Sequence, residues 1–208
     1  MITAHYLRER LATTQLPADP LDVVMPAGSE RWPAGMCERL TATLRPAGVL
    51  IPLIDHGDTE ISVLLTQRSA ALNTHAGQVS FPGGRMEPGD ADIASTALRE
   101  TEEEVGIAQA GISVIGYMEP MPTITGYAVT PVVGLIDGGY ELNIDTTEVE
   151  YVFEVPLAFL LDPGNHKLVE RDLHGSTVSM VEYHFDGERI WGATAFIIEK
   201  FIKIIIKQ

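Results

Sequence analysis

Four glutamates crowd into five positions, Glu100-Thr101-Glu102-Glu103-Glu104, directly behind Arg99 and ahead of Val105-Gly106-Ile107. The run follows a glycine turn, Phe81-Pro82-Gly83-Gly84, and reads as a helix from Ala91 to Val105 that Gly106 closes. Positions i, i+3 and i+4 of a helix share one face, so Glu100, Glu103 and Glu104 converge, with Arg99 one turn before Glu103. Like charges at that spacing cost a helix about 0.2–0.5 kcal/mol per pair. A hard divalent cation reverses the sign of that cost, because carboxylate oxygens are the ligands Mg²⁺ prefers. Taken alone, a glutamate run is also compatible with a solvated helix face.

The flanking residues narrow the choice. The string resembles the Nudix box, Gly-x5-Glu-x7-Arg-Glu-U-x-Glu-Glu-x-Gly-U with U aliphatic. Its second half matches from Arg99 to Ile107, except that Thr101 stands at a U position. Its first half departs: the spacing from Gly84 to Arg99 is one residue longer than in the general pattern, and no Glu falls at the expected place, with Glu87 and Asp90 merely nearby. A second signature lies upstream, in Leu64-Leu65-Thr66-Gln67-Arg68-Ser69 and His75-Ala76-Gly77-Gln78-Val79-Ser80. Together they are similar to the coenzyme A pyrophosphatase branch of the Nudix hydrolases. Asn73 sits where that branch carries Arg.

Composition sets outer limits. The 208 residues are 45% hydrophobic and 21% charged, the balance of a globular protein with one sizeable domain. The formal charge of −15 argues against broad binding to nucleic acid and repels any polyanionic substrate, which local arginines and cations must offset. Cys37 is alone, so no internal disulfide forms, and its expected place is a core or helix face. No signal-peptide core and no membrane-length apolar run is present, and a cytoplasmic location is expected.

Pattern along the chain predicts an α/β fold. Short helices are expected at Tyr6 to Thr13 and Met36 to Thr43, around a proline-bearing irregular segment from 14 to 35. Apolar runs predict strands at Ala47 to Ile54, Ile61 to Thr66, Ile112 to Glu119, Ala128 to Ile136 and Val178 to Phe185. Pro156 to Leu161 reads as a short helix and Ala195 to Lys207 as a closing one. The acidic segment Asp145 to Glu154 reads as a solvated loop edge. These elements and the resemblance both imply a Nudix-type α/β/α sandwich with a mixed sheet, residues 46–208, and an N-terminal helical and irregular extension, residues 1–45, packed on it.

By resemblance, Glu100, Glu103 and Glu104 hold Mg²⁺ or Mn²⁺, Gly84 adds a backbone carbonyl, and Arg99 orients a box carboxylate. Glu100, Glu103 and Arg99 then form the catalytic set. Arg99 reads equally as an ordinary i,i+4 ion pair. Arg68, the nearest cation to the signature, is the first choice for a phosphate contact, with His75, Gln78 and Tyr127 as further substrate contacts. Each also has a plain reading as a solvated or structural side chain, and Phe81 reads as a core anchor. Glu103, Glu148 and Glu150 are candidates for the general base.

The implied activity is metal-dependent hydrolysis of the pyrophosphate of coenzyme A or its derivatives, giving 4′-phosphopantetheine and adenosine 3′,5′-bisphosphate. The alternatives are a Nudix hydrolase of another nucleoside diphosphate derivative such as ADP-ribose, or a non-catalytic nucleotide-binding module. The expected partner is a small molecule, with no nucleic acid and no membrane. The apolar tail suits either a homodimer contact or closure of the monomer core.

Overall fold

The computed structural model describes residues 2–26, 29, 35–57, 60–72, 75–173 and 176–206. Asn73 therefore lies outside the described residues, as does Pro33 of the irregular segment.

The central strand is β1, Arg45–Asp55. Its apolar run is long because both faces are covered. It pairs in parallel with β7, Tyr127–Asp137, along its whole length from Arg45↔Tyr127 to Asp55↔Asp137. On its other side β1 meets two strands in turn. Residues 53–55 pair antiparallel with β2, Ile61–Arg68, and residues 47–49 pair antiparallel with β4, Gly83–Arg85. Pro52 stands where one neighbour gives way to the other. The Leu50 N–H points to that side, donating to Pro82 O at 2.9 Å, so Pro52, of the same parity, forfeits no bond to β7.

The other strands of this eight-stranded mixed sheet are β3, Val79–Ser80, on β2; β5, Ile112–Tyr117, and β6, Met121–Pro122, on β7; and β8, Val149–Pro156, on β2. A separate three-stranded antiparallel sheet holds β9, His166–Leu173, β10, Ser176–Phe185, and β11, Glu188–Ile190.

Helix α3, Ile93–Val105, covers one face of the main sheet. Its Ala94, Ala97 and Val105 pack with Leu50, Ile54, Val132 and Ile136. The other face carries α1, Ala4–Leu11, α4, Leu157–Leu161, and α5, Gly192–Ile206, whose buried residues join Ile51, Leu53, Leu65 and Val133. Helix α2, Met36–Thr41, precedes β1 and carries Cys37, which is half-buried. The layers are those of an α/β/α sandwich, as the sequence predicts. The tail closes the monomer core: Ile197, Ile198, Phe201 and Ile205 are buried in it, and Tyr6 Oη of α1 donates to Ile205 O at 2.6 Å.

Three expectations need correction. Gly83 and Gly84 form a strand rather than a strand-to-helix turn, because the gap beside β1 at Pro52 admits a short pairing segment. The second half of Asp145 to Glu154 is β8, not a solvated loop. Val149 and Val155, six residues apart and so on one face of the strand, are buried, which the high acidic content conceals. Finally, β9 and β11 flank the expected Val178 strand, since polar residues on the exposed side of a hairpin sheet dilute the apolar signal.

Candidate active site

Asp92 caps the N-terminus of α3, its carboxylate accepting from the Ser95 N–H at 2.8 Å, and Gly106 ends the helix in the left-handed conformation at φ 78°. Thr101 fills an aliphatic position at 0% exposure because its hydroxyl donates back to Ala97 O at 2.7 Å, leaving the methyl for the core. The helix is thereby fixed with Glu100 and Glu104 toward β4, and Glu103 more exposed beside them.

Arg99 is the hub. Its Nε donates to Asp90 Oδ1 at 2.9 Å and its Nη2 to Asp90 Oδ2 at 3.1 Å, a fork-on-fork pair. The same guanidinium contacts Glu100 at 2.9 Å and Glu103 at 2.9 Å, and donates to Arg85 O at 3.2 Å. The hydrogen bonds from Arg99 hold the Asp90 carboxyl down to about 2, and Asp90 also accepts from Thr96 Oγ1 at 2.9 Å. Asp90, which the sequence leaves merely nearby, is thus what anchors Arg99. The signal available was its place six residues after Gly84, with five between, where the general pattern puts Glu.

Glu104 is 3% exposed. Its Oε2 accepts from the Gly83 N–H at 3.2 Å, and Arg68 Nη1 lies 3.6 Å from its Oε1. Burial pushes its carboxyl up to about 8, against the pull of Arg68 and Gly83, and the charges of Glu148 and Glu100 push in the same direction as burial. Burial also raises Glu100, with Glu103 and Glu148 adding to it. Glu148, exposed in the turn before β8, therefore belongs to this acidic group, while Glu150 acts on the neighbouring Tyr151. The turn is built from Asp145, whose Oδ1 accepts from Thr147 N at 2.9 Å. It is tied to α3 by Asp145 N donating to Glu104 O at 3.0 Å.

The structure places Arg68, Gly84, Arg99, Glu100, Glu103 and Glu104 together. His75 and Gln78 form the loop between β2 and β3, bonded to each other at 2.9 Å, and Gln78 O accepts from the Arg68 N–H at 3.0 Å. Tyr127 stands apart from the carboxylates. It packs on the α1 and α5 face of the sheet, with Arg45 stacked 4.5 Å from its ring centroid. Phe81 is buried in the core.

Among the described residues no three Asp, Glu, His or Cys side chains form a ready metal cage. The arginines account for this: Arg99 draws Glu100 and Glu103 to itself and Arg68 faces Glu104. The donor set nonetheless fits a hard divalent cation. It consists of carboxylate oxygens, one of them deeply buried, beside a strand whose Gly84 lacks the Cβ that would fall 2.5 Å from the Glu100 carboxylate.

Residues 44–175 match the model of the NUDIX domain. The chain belongs to the Nudix family. The uncharacterized Nudix hydrolase NudL of Photorhabdus laumondii subsp. laumondii is 41% identical over 78% of this chain and 86% of its own length. Its counterpart in Escherichia coli O1:K1 is 42% identical over 78% of this chain and 83% of its own length. A MutT/nudix family protein of Enterococcus faecalis overlays 85% of this chain and 70% of its own at 19% identity, with a TM-score of 0.48. As a Nudix hydrolase domain, the chain belongs to a family that works with divalent metal ions. Among the described residues no helix is long and apolar enough to cross a membrane.

Proposed function

We propose that this Nudix protein is a Mg²⁺- or Mn²⁺-dependent pyrophosphohydrolase of coenzyme A or its derivatives, releasing 4′-phosphopantetheine and adenosine 3′,5′-bisphosphate. The observation that carries the reading is the junction of the two sequence signatures. Arg68, from the upstream one, faces Glu104 of the box helix, and Gln78 and Gly77 of the same signature hold the Arg68 backbone.

Glu100, Glu103 and Glu104, with the Gly84 carbonyl, are the residues that would hold the metal. When bound, such a cation neutralises charge building on the phosphoryl oxygens and acidifies water. Arg99 keeps Glu100 and Glu103 oriented, and Asp90 keeps Arg99 oriented. Arg68 supplies positive charge to a substrate phosphate, offsetting the net charge of −15. Glu148 is the group we assign to take the proton from attacking water at its carboxylate, since it is exposed and stands within the field of Glu100 and Glu104.

The test is parallel incubation with Mg²⁺ of coenzyme A and ADP-ribose, followed by chromatography of the products. Fast appearance of adenosine 3′,5′-bisphosphate with little ADP-ribose turnover is the expected result. Turnover of ADP-ribose alone overturns the substrate, and inactivity on both with metal bound favours a binding module.

A further inference from the structure

The contact between Arg68 and Glu104 is an odd ion pair. Glu104 is 3% exposed, and Arg68 Nη1 lies 3.6 Å from its Oε1, beyond hydrogen-bond range, whereas the neighbouring Arg99 guanidinium sits 2.9 Å from Glu100 and from Glu103. Arg68 Nε is buried and has no hydrogen-bond partner among the described residues. A buried nitrogen left without a partner costs about 1–3 kcal/mol, so this head group is held in place by charge and not by a satisfied bonding geometry. Its backbone is fixed on both sides, the N–H donating to Gln78 O at 3.0 Å and the carbonyl accepting from Gly77 N at 3.1 Å. Only the side chain is left to choose its position.

The carboxylate it faces needs a cation. Glu100 and Glu148 add negative charge around Glu104, and its other oxygen already accepts from Gly83. A weakly hydrated guanidinium enters such a place more readily than an ammonium. A divalent ion brings twice the charge and approaches carboxylate oxygen to about 2.0–2.1 Å. It would therefore displace a guanidinium standing at 3.6 Å.

We infer that Arg68 is a stand-in cation at Glu104, held there until a divalent metal takes the carboxylate, whereupon its guanidinium is released to the substrate phosphate. Metal and substrate then bind in a coupled order: the ion that completes the site also frees the arginine that grips the anion. This rests on the metal assignment under Proposed function, but not on the identity of the substrate. It makes a prediction of unusual sign. Removing Arg68 weakens turnover yet tightens the metal, because a competitor for Glu104 is gone.

The experiment is titration of the purified full chain with Mn²⁺, followed by electron paramagnetic resonance in mildly alkaline buffer, with no substrate present. Arg68→Met is expected to lower the Mn²⁺ dissociation constant by about tenfold or more, and Arg68→Lys, whose ammonium enters the site less readily, to fall between that variant and wild type. Arg8→Ala is the charge-matched control, since Arg8 lies on α1 and donates to Ser113 at 3.1 Å; it is expected to bind Mn²⁺ as wild type does. Should Arg68→Met fail to fold, Arg68→Gln, which keeps polar atoms in the pocket, carries the same expectation. Equal or weaker Mn²⁺ binding in the neutral variant overturns the inference, as does equal tightening in Arg8→Ala. A wild-type chain that takes up no Mn²⁺ overturns the metal assignment itself, which separates the two failures.

Discussion

The carboxylate of Glu100 occupies the space in which any residue but glycine at position 84 would carry its Cβ: that atom would stand 2.5 Å from Glu100 Cδ. The strand pairing Gly48↔Gly84 fixes the backbone, so the group that gives way is the far end of the Glu100 side chain. Gly84→Ala should push the carboxylate away and lower kcat on coenzyme A by about 100-fold, the usual effect of a displacement near 1 Å. The thermal midpoint should move by only a few degrees. Steady-state kinetics beside a melting curve checks both.

Asp90 touches neither metal nor substrate in the proposed site, yet it grips the Arg99 fork at 2.9 and 3.1 Å. Asp90→Asn removes the charge that holds the guanidinium toward Glu100 and Glu103. Activity should fall by about 10–100-fold, the range for a partner that orients ligands. A parallel Mn²⁺ titration should show weaker binding, the opposite direction from Arg68→Met.

Glu148 and Glu150 are both acidic and exposed, and composition does not separate them. Position does: Glu148 raises the carboxyls of Glu100 and Glu104, and Glu150 acts on Tyr151. Glu148→Gln should lower kcat by about 10²–10⁴-fold, read by steady-state kinetics. Glu150→Gln should leave kcat near wild type.

Away from the site, Glu182 is 4% exposed and accepts from Arg189 Nε at 2.9 Å, from Arg189 Nη2, and from Arg171 Nη2 at 2.8 Å. The Arg189 hydrogen bonds hold its carboxyl at about 2, against an ordinary 4.5. A depressed carboxyl contributes stability above its unfolded value and loses it as pH falls toward the folded one. Acid unfolding should therefore sharpen between about pH 4.5 and pH 2. Glu182→Gln should flatten that window and cost about 1–2 kcal/mol at neutral pH, the low end for a buried pair because both arginine heads reach water. Urea melts at several pH values give the answer.

Local pattern alone determined much of this protein. The apolar runs at Ala47 to Ile54 and Ala128 to Ile136, the capped period of α3 and the spacing of its glutamates each depend on residues near one another in the chain, and each held in the structure. The short strands β3, β4 and β6 exist only because longer neighbours offer open edges, so nothing in their own residues announces them. The same holds within the site. That Asp90 anchors Arg99, that Arg68 stands at Glu104 across 36 positions of sequence, and that Tyr127 faces away toward Arg45 all depend on which face of the sheet each residue reaches. A one-residue change of register reverses that face, and register is decided by pairing between distant strands.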